Sequence, residues 1–532
     1  MQPAVALIGY LDQDNLGIGY LASMLQREGF RPIIIDYRMA PERIGEAILR
    51  NAPVAVGFSL IFQYFTSDFG VLMRNLREQG VSCHFTVGGF YPSLRPREVM
   101  EALPELDSVV RSEGEYTLVE LARALASGSE WVGIAGIASR GNGGIRENAL
   151  RPLETDLDRF PIPIRRPVLS ESLGMKEATL VASRGCYYNC SFCSIREFYS
   201  AARGPLRRVR SAERVVEEMG LLHEEMGCRV FLFQDDDFPG AAKNGQAWAA
   251  RFCELLRERG LAGKVLWKIS CRADEIDERR FGLLRDAGLF LVYLGIESGT
   301  DDGLKLMNKR MGAEVNLAAV QKLRQAGLAC DFGFMLFDPF SDARSVRENL
   351  HFLDSICADG YTPITACKMI PYSGTAIEAM LARDGRLKVL REHEDYDFLD
   401  DGLNELYRWF VRTFADWMQS AEGMLALSRA VRYRLAIRRR FGIGPCEELA
   451  GLEAAATETI GAANRLFTAA VREAVTVCEG PPSRSVARLA RIQQGVRQFE
   501  SSLAPRLREL AEQSGRVTTG PSRSLLPFLL TI

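Results

Sequence analysis

Three cysteines at the spacing C-x3-C-x2-C are the residues whose types and spacing most clearly indicate chemistry: Cys186, Cys190 and Cys193. Thiolates are the usual protein ligands of iron–sulfur clusters, and a tight loop lets several of them converge on one small inorganic core. Because only three cysteines are clustered, a four-iron cluster held here would keep one iron without a protein ligand. That iron could bind another molecule.

Two other interpretations of the cysteines remain open from the residues alone, a zinc site and three unrelated core residues. Zinc normally takes four ligands, and no C-x2-C or H-x3-H pair appears elsewhere in the sequence. Cys271, at the end of a predicted strand, could be a fourth cluster ligand, but a lone cysteine there is more often a small buried hydrophobic residue. We expect it to be core, together with Cys83, Cys228, Cys253, Cys330, Cys357, Cys367, Cys446 and Cys478.

The cysteine motif resembles the cluster loop of the radical S-adenosylmethionine (radical SAM) enzymes, which have an aromatic residue just before the last cysteine, here Phe192. The resemblance implies that Cys186, Cys190 and Cys193 hold a 4Fe–4S cluster whose open iron chelates the amino and carboxylate groups of S-adenosylmethionine. An electron from the cluster would then cleave that molecule to methionine and a 5′-deoxyadenosyl radical.

The elements around the cysteines predict a partial barrel. Strands are predicted at residues 178–183, 229–233, 265–269, 290–294, 331–336 and 364–369, with helical segments between them, for example at 212–226. Six β/α units with right-handed crossovers would curve around a central cavity, and catalytic residues would then lie at the carboxyl ends of the strands. The cysteine loop follows the first of these strands, as that arrangement requires.

Polar residues at other strand ends are candidates for binding S-adenosylmethionine. By resemblance to the family, Asp235 or Asp236 would contact the cationic methionine amino group, although a Gly-Gly-Glu version seen elsewhere in the family is missing. Glu297 and Ser298 match a segment near the ribose or the methionine end, and Arg272 would pair with the methionine carboxylate or face the substrate. Any one of them could instead be a helix cap or a surface ion pair.

The first 140 residues predict a Rossmann-like open parallel sheet, because strands at 5–9, 32–36, 53–59, 81–87 and 107–111 alternate with helices. Such sheets bind ligands at the carboxyl ends of their strands. The order of the loops there is similar to the cobalamin-binding domain fused in front of many radical SAM enzymes. The resemblance implies cobalamin contacts at Leu16, Gly17, Ser59, Gly88, Gly89, Phe90 and Glu113.

One feature of the cobalamin resemblance is missing. The D-x-H-x-x-G motif, whose histidine ligates cobalt, is absent, and His84 lies inside a predicted strand, where a packed or surface histidine is expected. The resemblance therefore implies cobalamin without a histidine ligand. A sheet domain that binds no cofactor is the alternative, whereas a dinucleotide site is disfavoured because no G-x-G-x-x-G follows the first strand.

Size and composition predict several domains in a reducing compartment. A chain of 532 residues is too long for one ordinary domain. Its 47% hydrophobic and 25% charged residues and its net charge of −2 fit a globular protein without a general attraction to nucleic acid or membranes. No apolar run is long enough to span a membrane or to act as a signal peptide. Cysteines without a paired framework favour the cytoplasm.

We therefore predict four segments: a cobalamin-binding domain (1–140), a linker (141–177), a radical SAM partial barrel (178–377) and a mostly helical C-terminal domain (378–532). In the last, helical periodicity covers 403–440, 446–477 and 485–514. Its aromatic residues are expected to be core, and the basic triplet at 438–440 is too short to indicate nucleic-acid binding.

The resemblance implies a C-methyltransferase that acts on an unactivated carbon of a biosynthetic intermediate through the 5′-deoxyadenosyl radical and methylcobalamin. Its partners would be a small-molecule substrate and an electron donor such as flavodoxin or ferredoxin. Two alternatives stay open: a radical cyclase or rearrangement catalyst with the same cofactors, and a non-catalytic cobalamin or iron–sulfur sensor.

Overall fold

The computed structural model describes residues 2–11, 14–141, 143–165, 171–390, 393–480 and 482–515. Parts of the predicted linker (142, 166–170) and of the predicted C-terminal domain (391–392, 481, 516–532) lie outside the described residues. The chain divides into two compact units. The first comprises residues 1–169, 183–210 and 370–395, and the second 170–182, 211–369 and 396–532. The cysteine loop therefore belongs to the first unit.

The strands, in chain order, are β1 Ala4–Gly9, β2 Arg31–Asp36, β3 Ala55–Ser59, β4 His84–Gly88, β5 Ser108–Val110, β6 Ile137–Gly141, β7 Gly144–Glu147, β8 Glu171–Ser172, β9 Met175–Leu180, β10 Ser183–Arg184, β11 Arg208–Val209, β12 Cys228–Phe233, β13 Leu266–Arg272, β14 Leu289–Glu297, β15 Ala329–Phe337, β16 Cys367–Lys368, β17 Leu387–Leu390 and β18 His393–Tyr396. The helices are α1 Leu16–Arg27, α2 Pro41–Asn51, α3 Thr66–Glu78, α4 Phe90–Leu94, α5 Pro96–Ala102, α6 Glu115–Ser127, α7 Ser194–Ser200, α8 Ala212–Met226, α9 Gln246–Glu258, α10 Glu278–Asp286, α11 Asp301–Leu306, α12 Ala313–Gln325, α13 Ala343–Cys357, α14 Ala376–Arg383, α15 Asp401–Gln419, α16 Met424–Phe441, α17 Cys446–Cys478 and α18 Pro482–Gly515.

The first unit contains the predicted Rossmann-like sheet, with strand order β2-β1-β3-β4-β5-β6-β7. Strands β1 to β5 are parallel, which confirms the predicted sheet, while β6 and β7 extend its edge as an antiparallel hairpin. That hairpin was not predicted, because its short strands join at a glycine-rich turn that looks like a loop in the sequence. Residues 144–147, expected in the linker, form β7.

The second unit contains the partial barrel, with strand order β16-β15-β14-β13-β12-β9-β8. The six strands from β9 to β16 in this order are parallel, and β8 adds an antiparallel edge. Local signals explain why the helices between them were predictable. Ser211 caps α8 by accepting a hydrogen bond from the Arg214 amide, and Gly227 ends it in a left-handed conformation.

Four helices follow the barrel in the second unit, where three were predicted. The expected helix 403–440 is divided into α15 and α16, because the backbone becomes extended at Ser420 and turns back on α15. Glycine is required at 423 in this turn, since a Cβ there would lie 2.3 Å from the Asp416 carbonyl oxygen. The predicted aromatic core is confirmed, since Trp409, Phe410, Phe414 and Trp417 are buried. None of the described helices is both long and apolar enough to cross a membrane.

Candidate active site

The cysteine loop of the first unit is built from one strand, a turn and a helix. Gly185 precedes the first cysteine with φ +83°, and a Cβ there would lie 1.8 Å from the Leu206 carbonyl oxygen, so only glycine fits this turn. The Cys193 amide donates to the Cys190 carbonyl at 3.2 Å, and Cys193 is the residue from which α7 begins. The second half of the motif is therefore one tight turn.

The chemistry of its donor set makes this loop a candidate for an iron–sulfur cluster. Cys186, Cys190 and Cys193 are all half-buried, as is Phe192 between the last two. Among the described residues, no group of three or more His, Cys, Asp or Glu side chains already stands close enough together to hold a metal ion. The fit therefore depends on three thiols within one short loop, and their role as ligands stays a prediction.

A buried ion-pair network joins the strand before the cysteines to the loop after β5. Arg184 donates to Glu113 at 3.0 Å and to Glu115 at 2.6 Å, and Arg208, its partner across β10 and β11, donates to both Glu113 oxygens at 2.8 and 2.9 Å. Burial raises the pKa of Glu113, but Arg184 and Arg208 outweigh burial and hold it below its ordinary value. The predicted cobalamin contact Glu113 is thus an ion-pair partner of two arginines.

A second connection runs from the loop after β4 to the helix after the cysteines. The ring of Phe90, a predicted cobalamin contact, lies 4.4 Å from the ring of Phe198 in α7. Gly89 has φ +125°, and a Cβ there would lie 2.0 Å from the Leu60 carbonyl oxygen. The loops at the carboxyl ends of β4 and β5 therefore both contact the segment that carries the cysteines.

The other predicted cobalamin contacts lie at the same edge of the first sheet. Gly88 and Ser59 end β4 and β3, and Leu16 and Gly17 open α1. Ser112, which was not among the predicted contacts, has φ +63° and a buried hydroxyl without a hydrogen-bond partner among the described residues. A strained residue with an orphaned polar atom at this edge fits a bound ligand.

His84 is a packed histidine, in agreement with one of the two expected placements. Its Nε2 lies 2.8 Å from the Ser108 hydroxyl, and its ring contacts Trp131. Burial lowers the pKa of His84 to about 4. These contacts hold the ring within the sheet.

In the second unit, the structure distinguishes the two aspartates that the sequence left as alternatives. Asp235 is buried, and both of its carboxylate oxygens accept the Ala182 amide at 3.1 Å, directly after β9. Asp236 is exposed. Asp235 is therefore engaged with the backbone, and the contact of either aspartate with S-adenosylmethionine stays a prediction.

Glu297 and Arg272 are linked through Lys309, which the sequence did not indicate. Lys309 is buried; its ammonium donates to the Gly295 carbonyl at 2.8 Å and pairs with Glu297 at 3.5 Å. Arg272 donates to the Lys309 carbonyl at 2.5 Å and pairs with Asp274 at 2.9 Å. Burial raises the pKa of Glu297, and Lys309 opposes that rise. Glu297 also has φ +64°, a conformation that functional residues often occupy.

Ser298 is fully buried, so its side chain is part of a turn. Its hydroxyl lies 3.2 Å from both the Thr300 hydroxyl and the Asn349 side-chain oxygen, which also accepts the Gly299 amide at 2.7 Å. Its predicted contact with S-adenosylmethionine stays a prediction.

The predicted core placement of the remaining cysteines is only partly correct. Five are buried, namely Cys228, Cys253, Cys271, Cys330 and Cys357. Cys83 and Cys478 are half-buried, but Cys367 and Cys446 are exposed, so their placement was wrong. Cys367 lies on β16 of the partial barrel, on a strand too short for its alternation to be seen in the sequence.

Comparison with known protein families gives two matches. Residues 4–122 match the B12 binding domain, and residues 180–350 match the radical SAM superfamily. An uncharacterized methyltransferase of Pyrococcus horikoshii is 30% identical over 68% of this chain and 77% of its own length. The anaerobic magnesium-protoporphyrin IX monomethyl ester cyclase of Cereibacter sphaeroides is 28% identical over 60% of this chain, which spans only 53% of that relative.

Two solved structures share the fold. OxsB, a cobalamin-dependent S-adenosylmethionine radical enzyme with aqua-cobalamin and S-adenosylmethionine bound, aligns with a TM-score of 0.68 at 16% identity, over 97% of this chain and 85% of its own. TsrM, a radical S-adenosylmethionine methyltransferase from Kitasatospora setae with cobalamin and a 4Fe–4S cluster bound, aligns with a TM-score of 0.61 at 17% identity, over 72% and 75%.

Proposed function

This chain belongs to the radical SAM superfamily and carries a B12-binding domain, and on that premise we propose that it is a C-methyltransferase acting on an unactivated carbon of a biosynthetic intermediate. The premise makes the protein a cobalamin-dependent radical SAM enzyme. The proposal adds the outcome of the reaction, a transferred methyl group, and the class of its substrate.

One observation carries the proposal: the cysteine loop and the ligand-binding edge of the first sheet share one compact unit and are tied together. Arg184, two residues before Cys186, pairs with Glu113 after β5, and Phe198 of α7 packs on Phe90 after β4. Direct methyl transfer to a substrate radical requires both cofactors beside the same substrate atom. A unit that fixes the two loops to each other supports that requirement.

Under this proposal each group of residues has one task. When bound, the cluster and S-adenosylmethionine supply a 5′-deoxyadenosyl radical and cobalamin supplies the methyl group. The chain's own residues bind and orient the cofactors and the substrate, and they exclude water. The cluster would be held by Cys186, Cys190 and Cys193. Asp236 and Glu297 would contact S-adenosylmethionine, with Phe192, Asp235, Arg272 and Ser298 shaping its surroundings. Cobalamin would contact Leu16, Gly17, Ser59, Gly88, Gly89 and Phe90.

A radical cyclase is the second candidate, favoured by the 28% identity to the anaerobic magnesium-protoporphyrin IX monomethyl ester cyclase. A cyclase would consume S-adenosylmethionine only for the radical, whereas a methyltransferase also uses it as the methyl source. Both reactions need an external electron donor, for which flavodoxin or ferredoxin is the proposed class. The product ratio therefore distinguishes them.

The test is anaerobic reconstitution with iron, sulfide and cobalamin, followed by reduction in the presence of S-adenosylmethionine carrying a trideuterated methyl group and a small-molecule extract of the source organism. Formation of S-adenosylhomocysteine together with 5′-deoxyadenosine, and of an extract compound that gains a trideuterated methyl group, is the expected result. 5′-Deoxyadenosine alone, with cobalamin retained, would overturn the methyltransferase in favour of the cyclase.

Two cysteine variants make the test specific. Cys190→Ala removes a proposed cluster ligand, so both products are expected to disappear. Cys446→Ala changes an exposed cysteine at the start of α17 and should leave both products unchanged. Equal activity of the two variants would show that Cys190 holds no cluster.

A further inference from the structure

The strands of the second unit's sheet have two unlike faces. One face carries apolar side chains that are almost completely buried, such as Trp267, Val292 and Phe332. Alternation places Lys268, Tyr293 and Asp331 on the opposite face. The register pairs Tyr293 with Asp331 directly, and the Lys268 ammonium lies 5.5 Å from the centre of the Tyr293 ring. These three residues form one polar layer.

Helix α16 packs against this face of the sheet next to the polar layer. Tyr433 and Ile437 of this helix pack on Leu266 and Leu291, which precede Lys268 and Tyr293 by two residues on the same face. One turn earlier in the helix, Arg429 reaches Asp331 with two contacts, of 2.8 and 3.0 Å. The layer therefore rests on a largely apolar floor, in which the Tyr433 hydroxyl donates to the buried Glu177 carboxylate at 2.7 Å. The carboxylate of the layer itself is already paired with an arginine.

The ion pair leaves Lys268 as an uncompensated cation. Asp331 attracts its ammonium, but that carboxylate is paired with Arg429, which repels it. Lys268 is only 5% exposed and Tyr293 only 7%. Within the part of the chain that the structure describes, neither the Lys268 ammonium nor the Tyr293 hydroxyl has a hydrogen-bond partner. A buried ammonium without a counter-ion costs several kcal/mol, so this layer is built for a missing partner.

Two glycines follow the layer on the two central strands, two residues beyond Tyr293 and Asp331 on the same face. Gly295 and Gly333 are paired in register and are both half-exposed. A Cβ on Gly333 would lie 2.8 Å from the Tyr293 hydroxyl oxygen and 3.3 Å from a Glu297 carboxylate oxygen. The exposed Cys367 extends the same face on β16. Two glycines thus make room for the Tyr293 hydroxyl and for the Glu297 carboxylate, which is paired with Lys309, and they place no side chain of their own over the layer.

We propose that Lys268 and Tyr293 bind a carboxylate group of the substrate in the interior of this partial barrel. The identity of the bound molecule as substrate rests on the proposed function, whereas the acid-binding site does not. One ammonium and one phenol hydroxyl offer donors for the two oxygens of a monoanion, and one negative charge neutralises Lys268. A phosphate dianion would leave a buried negative charge, so a carboxylate is the favoured partner.

The test uses a matched pair of probes on the reconstituted protein, 3-phenylpropanoate and its uncharged analogue 3-phenylpropanamide, with binding followed by saturation-transfer NMR titration. We expect binding of the acid to exceed that of the amide by about tenfold. Lys268→Met should remove this preference, and Tyr293→Phe should weaken acid binding about fivefold. Lys264→Met, at an exposed lysine before β13, should behave as wild type.

Several results would overturn the site. Equal binding of acid and amide by the wild type, or an acid preference that survives in Lys268→Met, contradicts it. Displacement of the acid by a lower concentration of inorganic phosphate would indicate that the site binds a phosphate and not a carboxylate. If Lys268→Met does not fold, the Tyr293→Phe and Lys268→Arg variants test the site instead. Lys268→Arg keeps the positive charge and should keep the preference for the acid over the amide. Because binding is measured without turnover, a failure of the methyl-transfer experiment would not change the outcome of this test.

The pH dependence gives a second readout. Burial lowers the pKa of Lys268 to about 8, with Asp331 opposing and Arg429 reinforcing the shift. Tyr293, whose ring faces the lysine, has its pKa raised by burial and stays neutral in this range. Two further carboxylates lie on the same face of the sheet, Glu297, which pairs with Lys309, and Glu177, which accepts the Tyr433 hydroxyl. Acid binding should therefore weaken as the pH rises through about 8, and it should persist there in Lys268→Arg. Binding that stays constant through this range contradicts the role of Lys268.

Discussion

Replacing Glu113 by glutamine tests whether this residue serves the fold or contacts only a ligand. Its side chain is 11% exposed, and those of its partners Arg184 and Arg208 are 13% and 1% exposed. Removing one partner of a buried ion pair typically costs 3–5 kcal/mol. Arg184 keeps Glu115, and glutamine keeps one acceptor oxygen, so we expect the lower end, about 3 kcal/mol. This loss corresponds to a fall in Tm of roughly 6–12 °C for a unit of this size.

Anaerobic calorimetry on cobalamin-free and cobalamin-loaded protein measures this effect. The fall in Tm should be the same in both forms, because the ion pairs lie within the protein. Glu120→Gln is the matched control, since the pair of Glu120 with Arg151 is half-exposed and its loss should cost under about 1 kcal/mol. A cobalamin-free Glu113→Gln protein that melts with the control, but binds cobalamin poorly, would refute the ion-pair argument and make Glu113 a ligand contact.

Three further predictions follow from single positions. Gly89→Ala should destabilise the first unit by about 2–3 kcal/mol and weaken cobalamin binding, whereas Gly133→Ala, with no atom near the new Cβ, should stay within about 0.5 kcal/mol in urea denaturation. Burial and the neighbouring glutamate raise the pKa of Glu394 from 4.5 to about 7. The stabilisation contributed by protonated Glu394 is therefore fully present below about pH 4.5 and is lost as the pH rises through 7. Glu394→Gln should abolish the resulting decline in Tm. Lys309→Met leaves Glu297 without its cation, so we expect a loss of about 3 kcal/mol and weaker S-adenosylmethionine binding by calorimetric titration.

Local signals explain which parts of the fold could be predicted. Helix α8 was predicted with its observed bounds because Ser211 and Gly227 mark both ends within the sequence itself. The break before α16 could not be predicted, since it arises from the backbone of the preceding helix approaching Gly423. Such a close approach is a property of the folded chain, and the helical periodicity continues through it.

The same distinction between local signals and contacts made only in the fold applies to the candidate site. The cysteines stand out in the sequence because a metal cluster needs its ligands close together and a short loop shows that need as spacing, while their role as ligands stays a prediction. The sequence could not separate Asp235 from Asp236, because only the fold shows that Asp235 turns toward the Ala182 amide, which follows β9. Likewise, nothing near Glu113 in the sequence indicates Arg208, which lies 95 residues away.

Lys268 shows most clearly why charge pairing has to be read from the fold. In the sequence, a lysine within β13 is most simply a strand residue that faces solvent, and Asp331 on another strand would be its natural partner. The structure instead gives Asp331 to Arg429, which lies 98 residues further along the chain on a helix that closes the layer. Because that helix pairs with the aspartate, the lysine ammonium has no dedicated counter-ion inside the partial barrel. If Lys268 binds a carboxylate as proposed, a residue of the C-terminal helices sets the charge of that site without contacting the ligand.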